Sequence, residues 1–356
     1  MDTRVQLNRG KRLKRIAIVG NLNIDNVIDA DGNVFIERIG GNAIYASSGA
    51  RMWNESVSII SRIPENYPSA YLKLLRDFHI DISQVRKLPY TVVLREWFCY
   101  EPDGSRIDQI FAPVSKVEER WPSIRTGHCG LNEKEAVTNF IRNYQPSANE
   151  HSFADFRRNY PMNIYELANE DYYADGFHIT PNLPAEQEIC ARYAKTKGAV
   201  VMLDPQPPHT EANREILFRL LKYVDIFMPS QMELDLFCPD IEMHETLKCL
   251  AEEGPKVTGV KLGADGCLIY DRVRDRFAKI PAFPAAPVNL TGAGDCFCGG
   301  FLSGYLETGD PFAAAEYGTA AASIKIGKTD MEDIFSISKE TAKNRLAELK
   351  QMISRS

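Results

Sequence analysis

The chain has 356 residues and a formal net charge of −6, and 44% of its residues are hydrophobic. This length suits one large α/β domain with an appendage or two modest domains, and the negative charge gives no overall electrostatic reason to bind nucleic acid or an acidic membrane. The eight cysteines form no C-x-x-C pair, which indicates neither a zinc site nor a disulfide framework. We therefore expect mostly buried thiols in a cytoplasmic protein.

The chain begins with a basic segment, residues 1–13, which we interpret as a solvated leader. No apolar run long enough for a secretory or membrane-spanning segment follows it. Residues 16–20 then predict a central parallel strand that is buried on both faces. Residues 21–25 follow at the carboxyl end of that strand, where ligands bind in open α/β sheets.

Two predicted hairpins interrupt the α/β pattern. The first turns at Asp31-Gly32 and the second at Asp103-Gly104. Together they predict a small separate β-sheet, a candidate lid made of residues 28–40 and 89–115. Between them the pattern predicts a helix rich in small residues at 42–52, a strand at 57–61 and a helix at 69–78.

The second half of the chain shows a clearer rhythm. Residues 116–164 are an insertion of unknown role with a helix predicted at 133–143, and from Tyr173 short apolar runs alternate with helical patterns. This alternation predicts a parallel sheet with helices on both faces. The predicted strands cover residues 174–179, 199–203, 226–228, 257–262 and 267–270. Helices are predicted at 311–326 and 339–353.

The strongest chemical signal is the segment 291–295, Thr-Gly-Ala-Gly-Asp, which opens directly into a helix. The backbone amides of Gly292, Ala293 and Gly294 at a helix N-terminus would form an anion cradle. Each amide would supply on the order of 3 kcal/mol of transition-state stabilisation. Asp295 would hold its carboxylate over this cradle. Alternatively, the segment is a tight turn in which Asp295 caps the helix.

These residues resemble the ribokinase family, the PfkB-type carbohydrate and nucleoside kinases. Residues 291–295, followed by Phe297 and Gly299-Gly300, are similar to the carboxyl-terminal signature of that family. Residues 40–43 (Gly-Gly-Asn-Ala) are similar to its amino-terminal signature. Residues 20–25 resemble the first-strand segment whose polar side chains hold sugar hydroxyls. The resemblance covers residues 15–110 and 173–330 and leaves the insertion outside.

The resemblance implies an α/β, ribokinase-like fold with a mostly parallel central sheet, helices on both faces and a small β-sheet lid. We assign the kinase core to residues 14–27, 41–88 and 165–345. Because lid sheets in this family often pack against a second subunit, a homodimer through the lid is a further expectation.

The implied activity is ATP-dependent phosphorylation of a hydroxyl group on a small sugar-like or nucleoside-like acceptor, with Asp295 as catalytic base. The predicted acceptor-binding residues are Asn23, Asp25, Gly41 and Asn42. From the residues alone, Asp25 could instead end its strand in an Asx-turn, and Gly41 could be a hinge. No nucleic-acid or membrane partner is expected.

The nucleotide side is implied by a second group of residues. The predicted ATP-binding residues are Ser230, Glu233, Lys261, Gly263, Gly266 and Thr319. Glu233 would organise Mg²⁺ and phosphates through water, although Ser230 and Glu233 also fit a helix capping box. Lys261 could reach a phosphate or lie at a solvated strand end, and Thr319 could line the adenine side or merely pack closely. Asp204 begins a segment that either faces the phosphates or forms a rigid turn.

Three departures from the family pattern limit these expectations. Asn289 stands where the family usually has an Asp that helps to hold a monovalent cation, so ATP and Mg²⁺ are expected and a monovalent cation is doubtful. Tyr45 replaces an Asn common in ribokinases, which argues against plain ribose as acceptor, and Ser230 replaces the usual Asn. The alternative is a non-catalytic regulatory protein that binds a sugar or nucleotide on the same fold.

Overall fold

The computed structural model describes residues 13–28, 34–92, 95–100, 106–108, 153–207 and 210–355. The basic leader, except for its last residue, and the predicted helix at 133–143 lie outside these residues. So do residues 109–152, which include most of the insertion.

Strands and helices alternate along most of the described chain. The strands are β1 (Ile16–Val19), β2 (Asn23–Ile28), β3 (Val34–Gly40), β4 (Val57–Pro64), β5 (Asp81–Leu88), β6 (Arg95–Tyr100), β7 (Arg106–Asp108), β8 (Gly176–Ile179), β9 (Val200–Leu203), β10 (Ile226–Phe227), β11 (Val257–Lys261), β12 (Cys267–Asp271) and β13 (Arg276–Ile280). The helices are α1 (Asn42–Arg51), α2 (Ser69–Asp77), α3 (Phe153–Asn159), α4 (Ile164–Leu167), α5 (Pro184–Thr196), α6 (Glu211–Leu220), α7 (Gln231–Phe237), α8 (Met243–Glu252), α9 (Ala293–Thr308), α10 (Pro311–Ile326), α11 (Met331–Phe335) and α12 (Lys339–Ile353).

Nine of these strands form the central sheet, in the order β13-β12-β11-β10-β9-β8-β1-β4-β5. The strands from β11 to β5 pair in parallel, whereas β12 and β13 add an antiparallel edge. The predicted mostly parallel sheet is therefore confirmed. The sequence pattern did not predict β5 and β13, because both are edge strands that expose many of their residues and so lack a continuous apolar run.

The core lies on both faces of this sheet. In β1, Ile16 and Ile18 contact one apolar cluster, which contains α1, α9 and α10. Ala17 and Val19 contact the other, which contains α5 and α6. Because side chains alternate between the faces of a strand, four consecutive apolar residues are what a strand covered on both sides requires.

Helices α1 and α9 pack unusually closely through small residues. A Cβ atom on Gly49 would lie 1.9 Å from the carbonyl oxygen of Cys296, and one on Gly299 would lie 1.9 Å from that of Ala46. Side chains at these two positions would force the helices apart. The small-residue pattern of residues 42–52 therefore serves helix packing, and it brings the start of α1 next to the start of α9.

The second sheet has four strands in the order β3-β2-β6-β7. Strand β2 pairs antiparallel with β3 and parallel with β6, while β6 pairs antiparallel with β7. This confirms the small separate sheet, which we call the lid sheet. It begins at Asn23, earlier than the lid boundary that we drew at residue 28, so Asn21, Asn23 and Asp25 lie where the chain crosses between the two sheets.

The described residues also bear on the expected burial of the cysteines and on membrane-spanning helices. Six described cysteines are free, and only Cys249 among them is exposed. Within the same residues, no helix is long and apolar enough to cross a membrane.

Candidate active site

A cleft of about 460 Å³ lies between the carboxyl ends of the central strands and the lid sheet. Its wall combines residues from both predicted signatures with polar residues of the lid sheet. The sequence-predicted residues in this wall are Asn23, Asp25, Gly41, Asn42, Glu233, Gly292 and Asp295. Residues predicted to bind the acceptor and residues predicted to bind the phosphates therefore line one cavity.

Residues 291–295, which we call the signature loop, form one wall of the cleft. Gly292 is the N-cap of α9 and has a φ of 73°, a left-handed conformation that favours glycine. The ring of Tyr45 packs against it, because a Cβ atom on Gly292 would lie 2.0 Å from Cγ of that ring. Asp295 follows in the first turn of α9, is half-buried and lines the cleft. Its side chain therefore borders the space in which a ligand would bind.

One predicted member of the anion cradle is already engaged. The amide of Ala293 donates a hydrogen bond to the carbonyl oxygen of Leu290 at 3.1 Å. The turn that starts α9 therefore uses the N–H of Ala293, and a role of Ala293 toward a phosphoryl group stays a prediction. Gly292 and Gly294 stay candidates for this role.

The amino-terminal signature forms the opposite wall. Gly41 has a φ of 97°, and a Cβ atom there would lie 2.5 Å from the carbonyl oxygen of Asn21, so the close approach requires glycine. The side chain of Asn42 accepts a hydrogen bond from the amide of Asn21 at 2.7 Å and donates one to the carbonyl oxygen of Pro181 at 2.8 Å. Asn42 thus shapes the pocket mainly by clamping two backbone segments.

Asp25 lies at the base of the acceptor side and is 1% exposed. It sits inside β2 rather than at its end, which excludes the Asx-turn alternative. Its Oδ2 accepts a hydrogen bond from the hydroxyl of Tyr45 at 2.7 Å. Burial, followed by the negative charge of Asp25, raises the pKa of Tyr45 well above its usual value, so this hydroxyl stays a donor.

The lid sheet contributes residues that sequence reasoning missed. Glu96 and Phe98 on β6 line the cleft, and Oε2 of Glu96 accepts a hydrogen bond from Nδ2 of Asn23 at 3.0 Å. The Oδ1 atom of Asn23 is buried and has no hydrogen-bond partner among the described residues. A buried orphan acceptor on a cleft wall suits a ligand hydroxyl. The alternation in residues 95–100 was the signal that could have identified the inward-facing Glu96.

A second missed residue comes from the insertion. Arg157 on α3 lines the cleft, and its Nη2 donates a hydrogen bond to Oδ1 of Asn182 at 3.5 Å. Its neighbour Phe156 packs under the guanidinium of Arg62, which in turn donates to Oδ1 of Asn21 at 2.7 Å. Nothing in the sequence pattern of residues 116–164 pointed to this contribution, because it depends on how α3 docks against the core.

Lys261 and Asp204 form a buried ion pair beside the signature loop. Nζ of Lys261 lies 2.6 Å from Oδ1 of Asp204, and it would lie 3.5 Å from a Cβ atom on Gly294. Burial alone would lower the pKa of Lys261, but the negative charges of Asp204 and Glu233 hold it above its usual value, so the side chain stays cationic. Lys261 is therefore no solvated strand end. Asp204 does more than begin a turn, because it holds the lysine beside the signature loop.

Comparison with known proteins identifies the family. The model of the pfkB family carbohydrate kinases matches residues 116–336. The chain belongs to this family. The match starts after the amino-terminal signature and includes the segment that we expected to lie outside the resemblance. The predicted enzyme class, a carbohydrate or nucleoside kinase, is confirmed.

Individual relatives of this pfkB-family chain are kinases of the same kind. A cytidine kinase of Thermococcus kodakarensis is 26% identical over 293 residues, which cover 82% of this chain and 88% of the relative. The structure of a Burkholderia thailandensis nucleoside kinase in complex with inosine has a TM-score of 0.66 and 15% identity, covering 94% and 97% of the two chains. A putative ribokinase II from E. coli, in complex with ATP and Mg²⁺, has a TM-score of 0.62 and 17% identity, covering 97% and 100%. The structural matches confirm the ribokinase-like fold.

The other predicted ATP-binding residues of this pfkB-family kinase come from three places: the start of α7, the turn between β11 and β12, and α10. Ser230 and Glu233 form the capping box of α7, and Glu233 also lines the cleft. Its role toward Mg²⁺ and phosphates stays a prediction. Gly263 has a φ of 58° with open space around it. Gly266 lies against the carbonyl oxygen of Ile280. Thr319 is 6% exposed, as close packing of α10 would require, and its role beside adenine stays a prediction.

A buried cluster behind Lys261 brings together possible metal ligands. The ligand atoms of His178, Asp204 and Cys298 lie within 4.8 Å of one another. The ammonium of Lys261, however, already lies 2.6 Å from Asp204 and 3.8 Å from the sulfur of Cys298. Because a second cation there would meet this fixed positive charge, we assign the cluster no metal.

Proposed function

We propose that this kinase transfers the γ-phosphoryl group of ATP to a hydroxyl group of a nucleoside. The observation that carries the proposal is the position of Asp295 and the signature loop in the same cleft as Asn23 and Asp25. A carboxylate beside amide donors, opposite a set of hydroxyl-binding groups, is what in-line phosphoryl transfer requires.

The cleft volume of about 460 Å³ falls within the usual range for small-molecule sites and fits either acceptor class. Two features favour a nucleoside over a simple sugar. The side chain of Phe98 lines the cleft from the lid sheet, where an aromatic ring can stack on a base. The relative that matches 82% of this chain is named a cytidine kinase.

In the proposed reaction, the acceptor hydroxyl oxygen attacks the γ-phosphorus of ATP while the bond from that phosphorus to the β,γ-bridging oxygen breaks. ADP leaves, and the hydroxyl proton passes to the carboxylate of Asp295. The amides of Gly292 and Gly294 and the ammonium of Lys261 stabilise the charge on the transferring group. Asn23 and Asp25 orient the acceptor.

Closure of the lid sheet would keep water away from the phosphoryl group. The hydroxyl of Tyr100 on β6 lies 2.9 Å from Oγ1 of Thr291, so a hydrogen bond joins the lid sheet to the signature loop. Water in the cleft would otherwise compete with the acceptor for the phosphoryl group.

The cleft also fits a divalent cation. Glu233 and Asp295 present carboxylates, the oxygen ligands that Mg²⁺ prefers directly or through water. When bound with ATP, Mg²⁺ would neutralise phosphate charge during transfer. Glu233 is the residue that we propose to hold it.

The test is a panel of nucleosides and sugars with ATP and Mg²⁺, assayed on the wild type and on Asp295→Asn. We expect a nucleoside to be the preferred acceptor and Asp295→Asn to lower kcat by about 10²–10⁴-fold, with ATP binding retained. Asp333→Asn, an exposed carboxylate in the first turn of α11, is the matched control and should leave turnover unchanged.

Two results would contradict parts of this proposal. Faster turnover on a sugar than on every nucleoside would overturn the acceptor class. Ligand binding without turnover on the whole panel would instead favour the non-catalytic regulatory protein.

A further inference from the structure

Lys325 is a charged side chain buried behind the signature loop, and the proposed reaction has not used it. It is 1% exposed and lies in the last turn of α10. Its Nζ donates a hydrogen bond to the carbonyl oxygen of Asn289 at 2.8 Å. Lysine is almost never buried so completely without a partner, because removing an ammonium group from water is costly. The position therefore calls for an explanation.

The end of α10 anchors the segment that leads into the signature loop. The carbonyl oxygen of Ile326 accepts hydrogen bonds from the amides of Val288 and Asn289, at 2.7 and 3.1 Å. The side-chain oxygen of Asn289 in turn accepts from the amide of Thr291 at 2.9 Å. Together with the bond from Lys325, these contacts fix the backbone just before Gly292.

The surroundings of Lys325 favour a cation despite the burial. A helix C-terminus carries partial negative charge, and Nζ lies 5.3 Å from the centroid of the Tyr45 ring, whose face attracts cations. Burial lowers the pKa of Lys325 to about 8, while the negative charges of Asp25 and Asp295 oppose that effect. The ammonium form therefore predominates at neutral pH.

The same residues do not fit a free monovalent cation. Asn289 offers a neutral amide, and its side-chain oxygen is already engaged by Thr291. Its carbonyl oxygen is engaged by Lys325. A second cation at this carbonyl would lie close to the fixed ammonium and be repelled by it.

We propose that Lys325 is a positioning residue whose ammonium group acts as a built-in cation behind the signature loop, in place of a free monovalent cation. The inference rests on the proposed kinase reaction. The ammonium fixes the carbonyl of Asn289 and hence the direction in which the amides of Gly292 and Gly294 point. It also places a positive charge behind the loop while negative charge develops in front of it.

The first experiment compares Lys325→Met, which keeps an unbranched side chain one atom shorter and removes the charge, with Lys343→Met at an exposed position on α12. We expect Lys325→Met to lower kcat by about tenfold or more, with KM for both substrates within about threefold of wild type. Lys343→Met should match the wild type. Circular dichroism and thermal unfolding check that each variant is folded.

The second experiment tests the charge itself. Lys325→Ala leaves room for a small cation, so added ammonium or potassium ions should restore part of its kcat. The wild type and Lys343→Met should respond to neither ion. A purely structural role would give Lys325→Ala no such recovery.

Three outcomes would overturn the inference. They are a kcat for Lys325→Met within about threefold of wild type, no recovery of Lys325→Ala by either ion, or a wild type that itself needs potassium. The last measurement needs no variant and decides the question even if Lys325→Met does not fold.

If the wild type phosphorylates no acceptor, the proposed function has failed. The potassium dependence of binding a nonhydrolysable ATP analogue is then compared between the wild type and Lys325→Ala, and only the variant should respond.

Discussion

At the scale of single residues, the ion pair of Lys261 and Asp204 has both a structural and a chemical role. The side chain of Asp204 is 3% exposed and that of Lys261 is 14% exposed. Removing one partner of a buried pair leaves the other charge uncompensated, whereas removing both leaves none. The two roles can therefore be separated by mutation.

We predict that Lys261→Met lowers the free energy of unfolding by about 3–5 kcal/mol and also lowers kcat. The double variant Lys261→Met/Asp204→Leu should regain much of the stability but not the activity, because the cation beside Gly294 is still missing. Urea unfolding and steady-state kinetics measure the two effects. Asp265→Asn, an exposed carboxylate after β11, is the control. A double variant with wild-type turnover would show that Lys261 serves stability alone.

The residue scale also shows why the sequence identified some site residues and missed others. Asp25, Gly41, Gly292 and Asp295 lie in local patterns that carry their own chemistry, and all four line the cleft. Glu96 and Arg157 line it as well, although no local pattern marks them as ligands. Their positions depend on how the lid sheet and α3 dock against the core, which periodicity does not contain.

At the scale of elements, the contact between α1 and α9 couples the two signatures. Residues 40–43 lead directly into α1, and the signature loop leads directly into α9. Gly299 lets the backbone of α9 approach Ala46. The separation of the two helix starts therefore sets the width of the cleft. A change in helix packing should affect the site even though Gly299 itself lies away from it.

We predict that Gly299→Ala destabilises the protein by about 1–3 kcal/mol, because its Cβ would meet the carbonyl oxygen of Ala46 at 1.9 Å. The value of kcat/KM should fall at temperatures where the variant remains folded, since the shifted helices misplace Asp295. Gly327→Ala is the matched control, because its Cβ would meet its nearest atom at an ordinary 3.7 Å. Unchanged stability in Gly299→Ala would disprove the close contact.

At the scale of the whole molecule, a buried histidine makes stability depend on pH. His178 on β8 is 0% exposed, and neither ring nitrogen has a hydrogen-bond partner among the described residues. Burial, followed by the charge of Lys261, lowers the pKa of His178 from 6.5 to about 3. Between these two values the unfolded chain binds a proton that the folded chain excludes, so this contribution to stability is complete above pH 6.5 and is lost as the pH falls toward 3.

We predict that His178→Leu flattens the fall in unfolding free energy between pH 6.5 and 3 relative to wild type. One excluded proton accounts for a slope of at most about 1.4 kcal/mol per pH unit. Urea unfolding at several pH values, with the exposed His244→Gln as control, measures the difference. Parallel stability curves for the wild type and His178→Leu would contradict the assignment, whatever their offset.

The mostly parallel sheet, the separate lid sheet, the family and the two signatures could be predicted from the sequence. These features follow from local periodicity and from short motifs whose backbone geometry demands glycine. Other features became visible only in the folded protein. It showed that the amide of Ala293 is engaged, that Asp204 pairs with Lys261, and that Lys325 lies behind Asn289. Each depends on which distant segments meet in three dimensions, and the energy of a buried charge is set by those neighbours rather than by its own sequence context.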